Sequence, residues 1–303
     1  MTPLADKKVA IIGLGLLGAS LGLALQKNGI RRLGWARKSE TRSWCLEHNV
    51  IDETAENVTE VLRDADITVL CLPIPAISQF IVEHASEFKT GSIVTDIGSD
   101  KGVIVDAGEK ALKPYGVYFI GSHPMAGTEK SGCQAAFAEL YDNAEIFVTY
   151  TPESDPAALD TIEQFWHLLK IARVKRISPE VHDDLVAHTS HISHLLALAL
   201  TLSVLDCNSQ EEEALRYNGC ATGFRDTSRI VSSSPVMWRE IIENNQSAVV
   251  AAARKCEHIY HEIVSSIEEG DFDRFEMLFG RGKFLRDKWM DYKKAQRDQL
   301  EQK

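Results

Sequence analysis

The chain has 303 residues, 44% of them apolar and 25% charged, with a net charge of −11. This is the composition of a soluble globular protein, long enough for two ordinary domains. No basic stripe dominates, which excludes a general nucleic-acid binder, since phosphate binding needs clustered cations.

The first eight residues lead directly into an apolar strand at 9–12, which leaves no room for a signal peptide. That strand, Val9-Ala10-Ile11-Ile12, feeds Gly13-Leu14-Gly15-Leu16-Leu17-Gly18 and then an apolar helix. A G-x-G-x-x-G turn between strand and helix is the dinucleotide-binding fingerprint. Gly13 allows the tight turn, Gly15 lets the backbone approach a pyrophosphate, and Gly18 lets the helix pack close to the strand. The helix N-terminus offers free N–H groups to the phosphates. This predicts a nicotinamide cofactor held by Gly13, Gly15, Leu16, Leu17 and Gly18, with Pro73 at the end of a later strand.

Further strands are expected at 31–36, 66–73, 93–96 and 117–120, alternating with helical segments. Runs at 146–150 and 174–177 could extend the same sheet. The alternation predicts a mostly parallel, doubly wound Rossmann-type sheet over residues 1–178. From residue 179 onward only helical patterns occur, at about 179–206, 211–217, 235–269 and 272–302, so residues 179–303 are expected to form an all-α domain. The longest apolar stretch, 195–205, is far short of the ~20 residues that span a bilayer, so no membrane partner is expected. The six cysteines show no C-x-x-C pair and no zinc spacing, which suits a reducing cytosol.

Polar motifs follow three of the strands. At the second lies Ala36, then Arg37, Lys38, Ser39 and Arg42. An acid there would hold the adenosine ribose, whereas cations and a hydroxyl suit a 2′-phosphate, so NADP is favoured over NAD. After the fourth comes Asp96-Ile97-Gly98-Ser99-Asp100-Lys101, where Ser99 either caps a helix or reaches the nicotinamide. After the fifth comes a glycine- and hydroxyl-rich loop, Gly121 to Gly132, carrying His123, a candidate general acid or base. In the helical half His182, His188, His191 and His194 precede an apolar run. The last three are spaced by three and form a slanting stripe on one face. They lack an acidic or cysteine partner at ligand spacing, so no metal is expected. Arg225 and Arg229 lie four apart in Gly223-Phe224-Arg225-Asp226-Thr227-Ser228-Arg229, on what reads as a small-residue loop. Each could fork a carboxylate, or the arginines could simply make surface ion pairs through Asp226.

Taken in order, G-x-G-x-x-G, D-x-G-S-x-K, H-P-M-A-G-T-E-K-S-G, S-H-x-x-H and G-F-R-D-x-[ST]-R resemble the prephenate dehydrogenase family of tyrosine biosynthesis, which includes arogenate and cyclohexadienyl dehydrogenases. The resemblance runs from Val9 to about Asn245. It implies a cytoplasmic enzyme that oxidises and decarboxylates prephenate to 4-hydroxyphenylpyruvate. His123 would take the proton of the ring hydroxyl, and Ser99 would hydrogen-bond to His123 and the nicotinamide region. Arg229, with Arg225 near it, would hold a substrate carboxylate. His194 would line the substrate pocket with His191 and His182 in support, and Glu129 would gate or orient the site. The family dimerises through its helical domain, so a homodimer is implied, and some members are inhibited by tyrosine. Three departures stand out. Ser190-His191-Ile192-Ser193-His194 lacks the family's proline, Ala221-Thr222-Gly223-Phe224 replaces a G-G-G-F run, and Ala36 replaces the frequent acid, which again favours NADP. The expected geometry brings His123 from one half and Arg229 from the other together across a cleft. An alternative, a β-hydroxyacid or imine reductase, usually relies on a lysine in the helical half, and none lies between Arg176 and Lys255. A non-catalytic NADP-sensing module would need neither His123, Ser99 nor Arg229.

Overall fold

The computed structural model describes residues 4–128 and 130–301. Five parallel strands, β1 (Lys8–Ile12), β2 (Arg31–Trp35), β3 (Ile67–Leu70), β4 (Ile93–Asp96) and β5 (Tyr118–Ile120), form a sheet in the order β2-β1-β3-β4-β5. They alternate with helices α1 (Leu16–Gln26), α2 (Ser39–Glu47), α3 (Val58–Asp64), α4 (Ile74–His84) and α5 (Gly102–Leu112). The strands are apolar on both faces because both faces are covered. Along β1, Val9 and Ile11 join the core that contains α1, while Ala10 and Ile12 point into the core beneath α4 and α5. The strand order reverses at the β1/β3 junction, where open α/β sheets bind ligands outside the strands' carboxyl ends.

The runs near 146–150 and 174–177 do not extend this sheet. A second sheet of β6 (Ser122–Pro124), β7 (Glu145–Thr149) and β8 (Arg173–Ile177) forms instead, with β6 antiparallel to β7. The break lies at Gly121. A β-carbon there would stand 2.5 Å from the Thr149 hydroxyl, so only glycine lets the chain cross from one sheet to the other at this distance. Helix α6 (Pro156–Trp166), capped by the Asp155 carboxylate on the Ala158 amide at 2.8 Å, packs Phe165 and Trp166 behind this second sheet.

The helical part comprises α7 (Pro179–Val186), α8 (Ile192–Leu205), α9 (Gln210–Gly219), α10 (Thr222–Ser228), α11 (Pro235–Asn244), α12 (Gln246–Glu268) and α13 (Phe272–Glu301). Three expectations are revised here. The run 179–206 is continuous but carries one π-helical turn, Ala187–His191, so the histidines do not keep the even spacing of an α-helix. The segment expected at 235–269 is two helices, broken at the buried Asn245. The presumed loop around Arg225 is helix α10.

Over the described residues the chain divides into two compact units. One runs to Val186 and includes Arg229–Gln246; the other holds Ala187–Ser228 and the chain from Ser247 on. The first unit extends past residue 178 because α7 buries Pro179, His182 and Val186, and because Ile241 of α11 joins the core under α4. Within the second unit Arg216 of α9 closes the C-terminal end of α8 through the carbonyls of Ser203 and Val204, both at 3.0 Å. Helix α13 leaves Phe272, Met277, Phe279, Phe284, Leu285 and Trp289 exposed, and much of α8 is exposed as well. The whole helical run Pro179–Leu205 is long and apolar enough, by length and composition, to cross a membrane. This run is longer than the apolar stretch 195–205 because it includes the preceding turns, where the buried His182 and His191 lie.

Candidate active site

The turn after β1 has the geometry that a pyrophosphate needs. Gly13 has φ +100°, and a β-carbon on it would lie 2.3 Å from the Cys71 carbonyl. A β-carbon on Gly18 would lie 2.1 Å from the Gly13 carbonyl, so helix and turn touch backbone to backbone. Gly15 is the opposite case: it is exposed, with open space where a side chain would begin. No side chain caps α1, so the amides of Leu16, Leu17 and Gly18 are presented at a positive helix end. Pro73, exposed at the start of α4, follows β3 on the same side of the sheet. These residues fit a dinucleotide.

At the turn after β2, Arg37, Lys38 and Ser39 are exposed, with Ser39 opening α2. Arg42 behaves differently from its expected role. Its buried guanidinium bonds to the Ala36 carbonyl at 2.8 Å and to Glu56 at 2.7 Å. It shapes the basic turn from inside and leaves Arg37 and Lys38 as the cations that face outward.

A buried ion pair links the next two loops. Asp96, at the end of β4, and Lys101, before α5, are both fully buried and joined through their side chains. Asp96 also accepts the Gly98 amide at 2.8 Å and the Ser122 amide at 3.1 Å. One carboxylate thus ties the Ser99 loop to the strand that carries His123. Ser122 is further held by Thr95 at 2.8 Å and by the Trp166 indole at 3.0 Å. Losing either partner of such a pair strands an uncompensated charge, typically ~3–5 kcal/mol.

His123 lies on strand β6, not on the loop that the glycines suggested, in register with Phe147 of β7. Because alternate residues face opposite sides, Ser122 and Pro124 are buried while His123 is half-buried. Its Nδ1 lies 2.8 Å from Nε2 of His182. His182 is fully buried, with its ring edge-on to His123 and to Phe147. Its Nδ1 lies 2.8 Å from Oδ1 of Asp183. Asp183 accepts the Lys101 amide on Oδ1 and the Gly102 amide on Oδ2, both at 2.8 Å, at the N-terminus of α5. Burial pushes the Asp183 carboxyl up, but the bonds from His182 and the two amides outweigh it and hold it below the usual carboxylate range. Burial lowers the His182 pKa, and the bond to Asp183 offsets this only in part. The buried carboxyl of Asp100 is pushed up to about 7 by burial and by the charge of Asp183, against the pull of Lys101.

The remaining predicted residues fall as follows. Ser99 is half-buried, and among the described residues its hydroxyl makes no bond to His123, whose Nδ1 is taken by His182. His182 is a buried backing residue rather than part of a pocket wall. His191 is buried in the second unit. His194, also there, lies with Nδ1 3.1 Å from the Ser190 carbonyl. A carbonyl only accepts, so the proton is on Nδ1. Burial lowers the His194 pKa, with the Ser190 bond opposing. Arg225 pairs with Asp226 at 3.1 Å, and both are exposed. Arg229 is exposed and, among the described residues, makes no ion pair or hydrogen bond. It does not face His123 from a separate half: it opens the segment that belongs to the same unit. Glu129 lies outside the described residues. Sequence reasoning missed Asp183 as a partner and the Asp96–Lys101 pair. The quoted D-x-G-S-x-K motif and the adjacent His182-Asp183 were the available signals.

Among the described residues no three histidine, cysteine or acidic side chains gather as metal ligands. All six cysteines are free.

A family model described as "Prephenate dehydrogenase, nucleotide-binding domain" matches residues 21–175. A second, "Prephenate dehydrogenase, dimerization domain", matches residues 178–281. The prephenate dehydrogenase of Bacillus subtilis (strain 168) is 32% identical over 284 residues, covering 92% of this chain and 75% of that protein. The crystal structure of prephenate dehydrogenase from A. aeolicus in complex with hydroxyphenyl propionate and NAD+ superposes with a TM-score of 0.87 at 28% identity, covering 95% of this chain and 99% of the other. Synechocystis arogenate dehydrogenase gives a TM-score of 0.83 at 28% identity, covering 93% and 99%.

Proposed function

The chain belongs to the prephenate dehydrogenase family, and from that premise we propose that it converts prephenate to 4-hydroxyphenylpyruvate and CO2 with NADP+ as the preferred hydride acceptor. The observation that carries the reading is the half-buried imidazole of His123 on a rigid strand, backed by a buried His182–Asp183 pair, in the same unit as a glycine turn that fits a pyrophosphate. A nicotinamide cofactor held at the Gly13–Gly18 turn would supply hydride acceptance. His123 takes the proton of the ring hydroxyl as the carbinol carbon loses its hydride. The ring carboxylate leaves as CO2, its bonding electrons complete the aromatic ring, and the proton held by His123 returns to the phenolate oxygen. Aromatisation makes that loss easy, so the protein's task is to hold the reacting groups in place.

Arg229 is proposed to hold a substrate carboxylate and Ser99 to act near the reacting ring; His194 and His191 are proposed separately as substrate-binding residues. Arg37, Lys38 and Ser39 at the N-terminus of α2 are suited to a 2′-phosphate, and no acid stands at Ala36 to hold an unphosphorylated ribose. The exposed apolar row on α13 argues for a homodimer that covers it. Six free cysteines suit a cytoplasmic setting.

Steady-state rates for prephenate and arogenate, each with NADP+ and NAD+, test these choices together. The highest kcat/KM is expected for prephenate with NADP+. A charge-assisted bond to the 2′-phosphate contributes ~1.5–3 kcal/mol, so NADP+ should lead NAD+ by roughly 10–100-fold. A preference for arogenate or for NAD+ would overturn the corresponding choice. No turnover in any of the four combinations would overturn the reaction.

A further inference from the structure

Two ionisable residues of α7 stand behind His123 and do not themselves face a substrate. His182 is fully buried and the Asp183 side chain is 15% exposed. Burying such groups is unfavourable unless every polar atom has a partner, and here the partners dictate where each proton sits. Both Asp183 oxygens accept backbone amides at 2.8 Å from the start of α5, whose positive end favours a negative charge there. A carboxylate held in this way accepts, so the 2.8 Å contact with His182 places that residue's proton on Nδ1. The neutral ring then has a bare Nε2. The 2.8 Å contact between this atom and Nδ1 of His123 needs one proton, and only His123 can supply it. His123 is thereby left with its lone pair on Nε2, the nitrogen that is not bonded to His182.

We propose that Asp183 and His182 are positioning residues that fix the tautomer of His123, so that Nε2 is its proton acceptor, and that they stabilise the imidazolium formed when the proton arrives. The kinetic part of this rests on the oxidative decarboxylation proposed above; the tautomer does not. The surroundings suit the role. The Lys101 ammonium is taken up by Asp96, Phe147 closes another side of His182, and the Asn245 side chain donates to the Asp183 carbonyl at 2.8 Å, pinning α7 at the point where α11 gives way to α12. The charged or titratable groups that face the pair are Lys101, Asp96 and Asp100.

Long-range ¹H–¹⁵N NMR of the full-length protein reports imidazole tautomers without reference to turnover. In the wild type the His123 signals should be those of the Nδ1–H form. In Asp183→Asn the orienting charge is lost, and the population should shift towards Nε2–H. In the same variant kcat should fall by roughly 10²–10⁴-fold with KM changed much less. The acid limb of kcat/KM should also move to lower pH, because a negative charge that stabilises the imidazolium is gone. His182→Gln leaves Asp183 on its amides and should show the same loss of tautomer control, which protects the test if Asp183→Asn folds poorly. An unchanged His123 tautomer in both variants overturns the proposal, as does wild-type kcat with a wild-type pH profile. If the wild type turned over no prephenate, the proposed reaction would fail while the NMR result still decided the relay.

Discussion

His123→Asn is expected to lower kcat by roughly 10²–10⁴-fold, the usual worth of a well-placed base, with the KM for prephenate nearly unchanged. Three features of the structure separate the two constants. His123 sits on β6, whose position is set by pairing with β7 and by the Asp96–Ser122 bond, so replacing its side chain leaves the strand in place. Asparagine can still donate to Nε2 of His182, so no buried acceptor is orphaned. It cannot take a proton, and so removes a contribution made only as the hydroxyl is deprotonated. Steady-state kinetics at saturating cofactor check this. Turnover within a few-fold of wild type would take His123 out of the chemistry.

The second large effect is expected at Arg229. Prephenate is a dianion and the protein carries a net charge of −11, so binding depends on local cations overcoming the global field. In the same stretch Arg216 pairs with Glu212, Arg225 with Asp226 and Arg239 with Glu243. Arg229, by contrast, is exposed and makes no ion pair among the described residues. A charge-assisted bond to a carboxylate is worth ~1.5–3 kcal/mol, so Arg229→Ala should raise the substrate KM by roughly 10–100-fold with a smaller change in kcat. Arg229→Lys keeps the charge but loses the fork, and should lie between the two. A KM unchanged in Arg229→Ala, with the melting temperature lowered instead, would make this a structural arginine.

The parts of the fold that were legible are those in which a local pattern carries the physics. Gly13, Gly15 and Gly18 each meet a different backbone demand: a positive φ, an open approach and a backbone contact. The apolar strands of the parallel sheet announce themselves because both faces are buried. Strand β6 did not, since three residues including a histidine and a proline read as loop, and only pairing with β7, more than twenty residues on, makes them a strand. The same limit hid Asp183. Its hydrogen bonds reach amides 81 and 82 residues earlier in the chain, a separation that no periodicity encodes. Arg42 misled in the opposite direction. In sequence it belongs to a basic turn, whereas in space its charge meets Glu56 and the turn's own carbonyls. The break at Asn245 has a tertiary cause as well, since its side chain reaches the Asp183 carbonyl.

The most direct test is a product balance on the wild-type protein, with prephenate and NADP+ supplied and the reduced cofactor, CO2 and aromatic keto acid all measured. The three should appear together in equal amounts, and none should form at a comparable rate in His123→Asn. Reduced cofactor accumulating without CO2, or keto acid accumulating at the wild-type rate in the variant, would contradict the proposed chemistry.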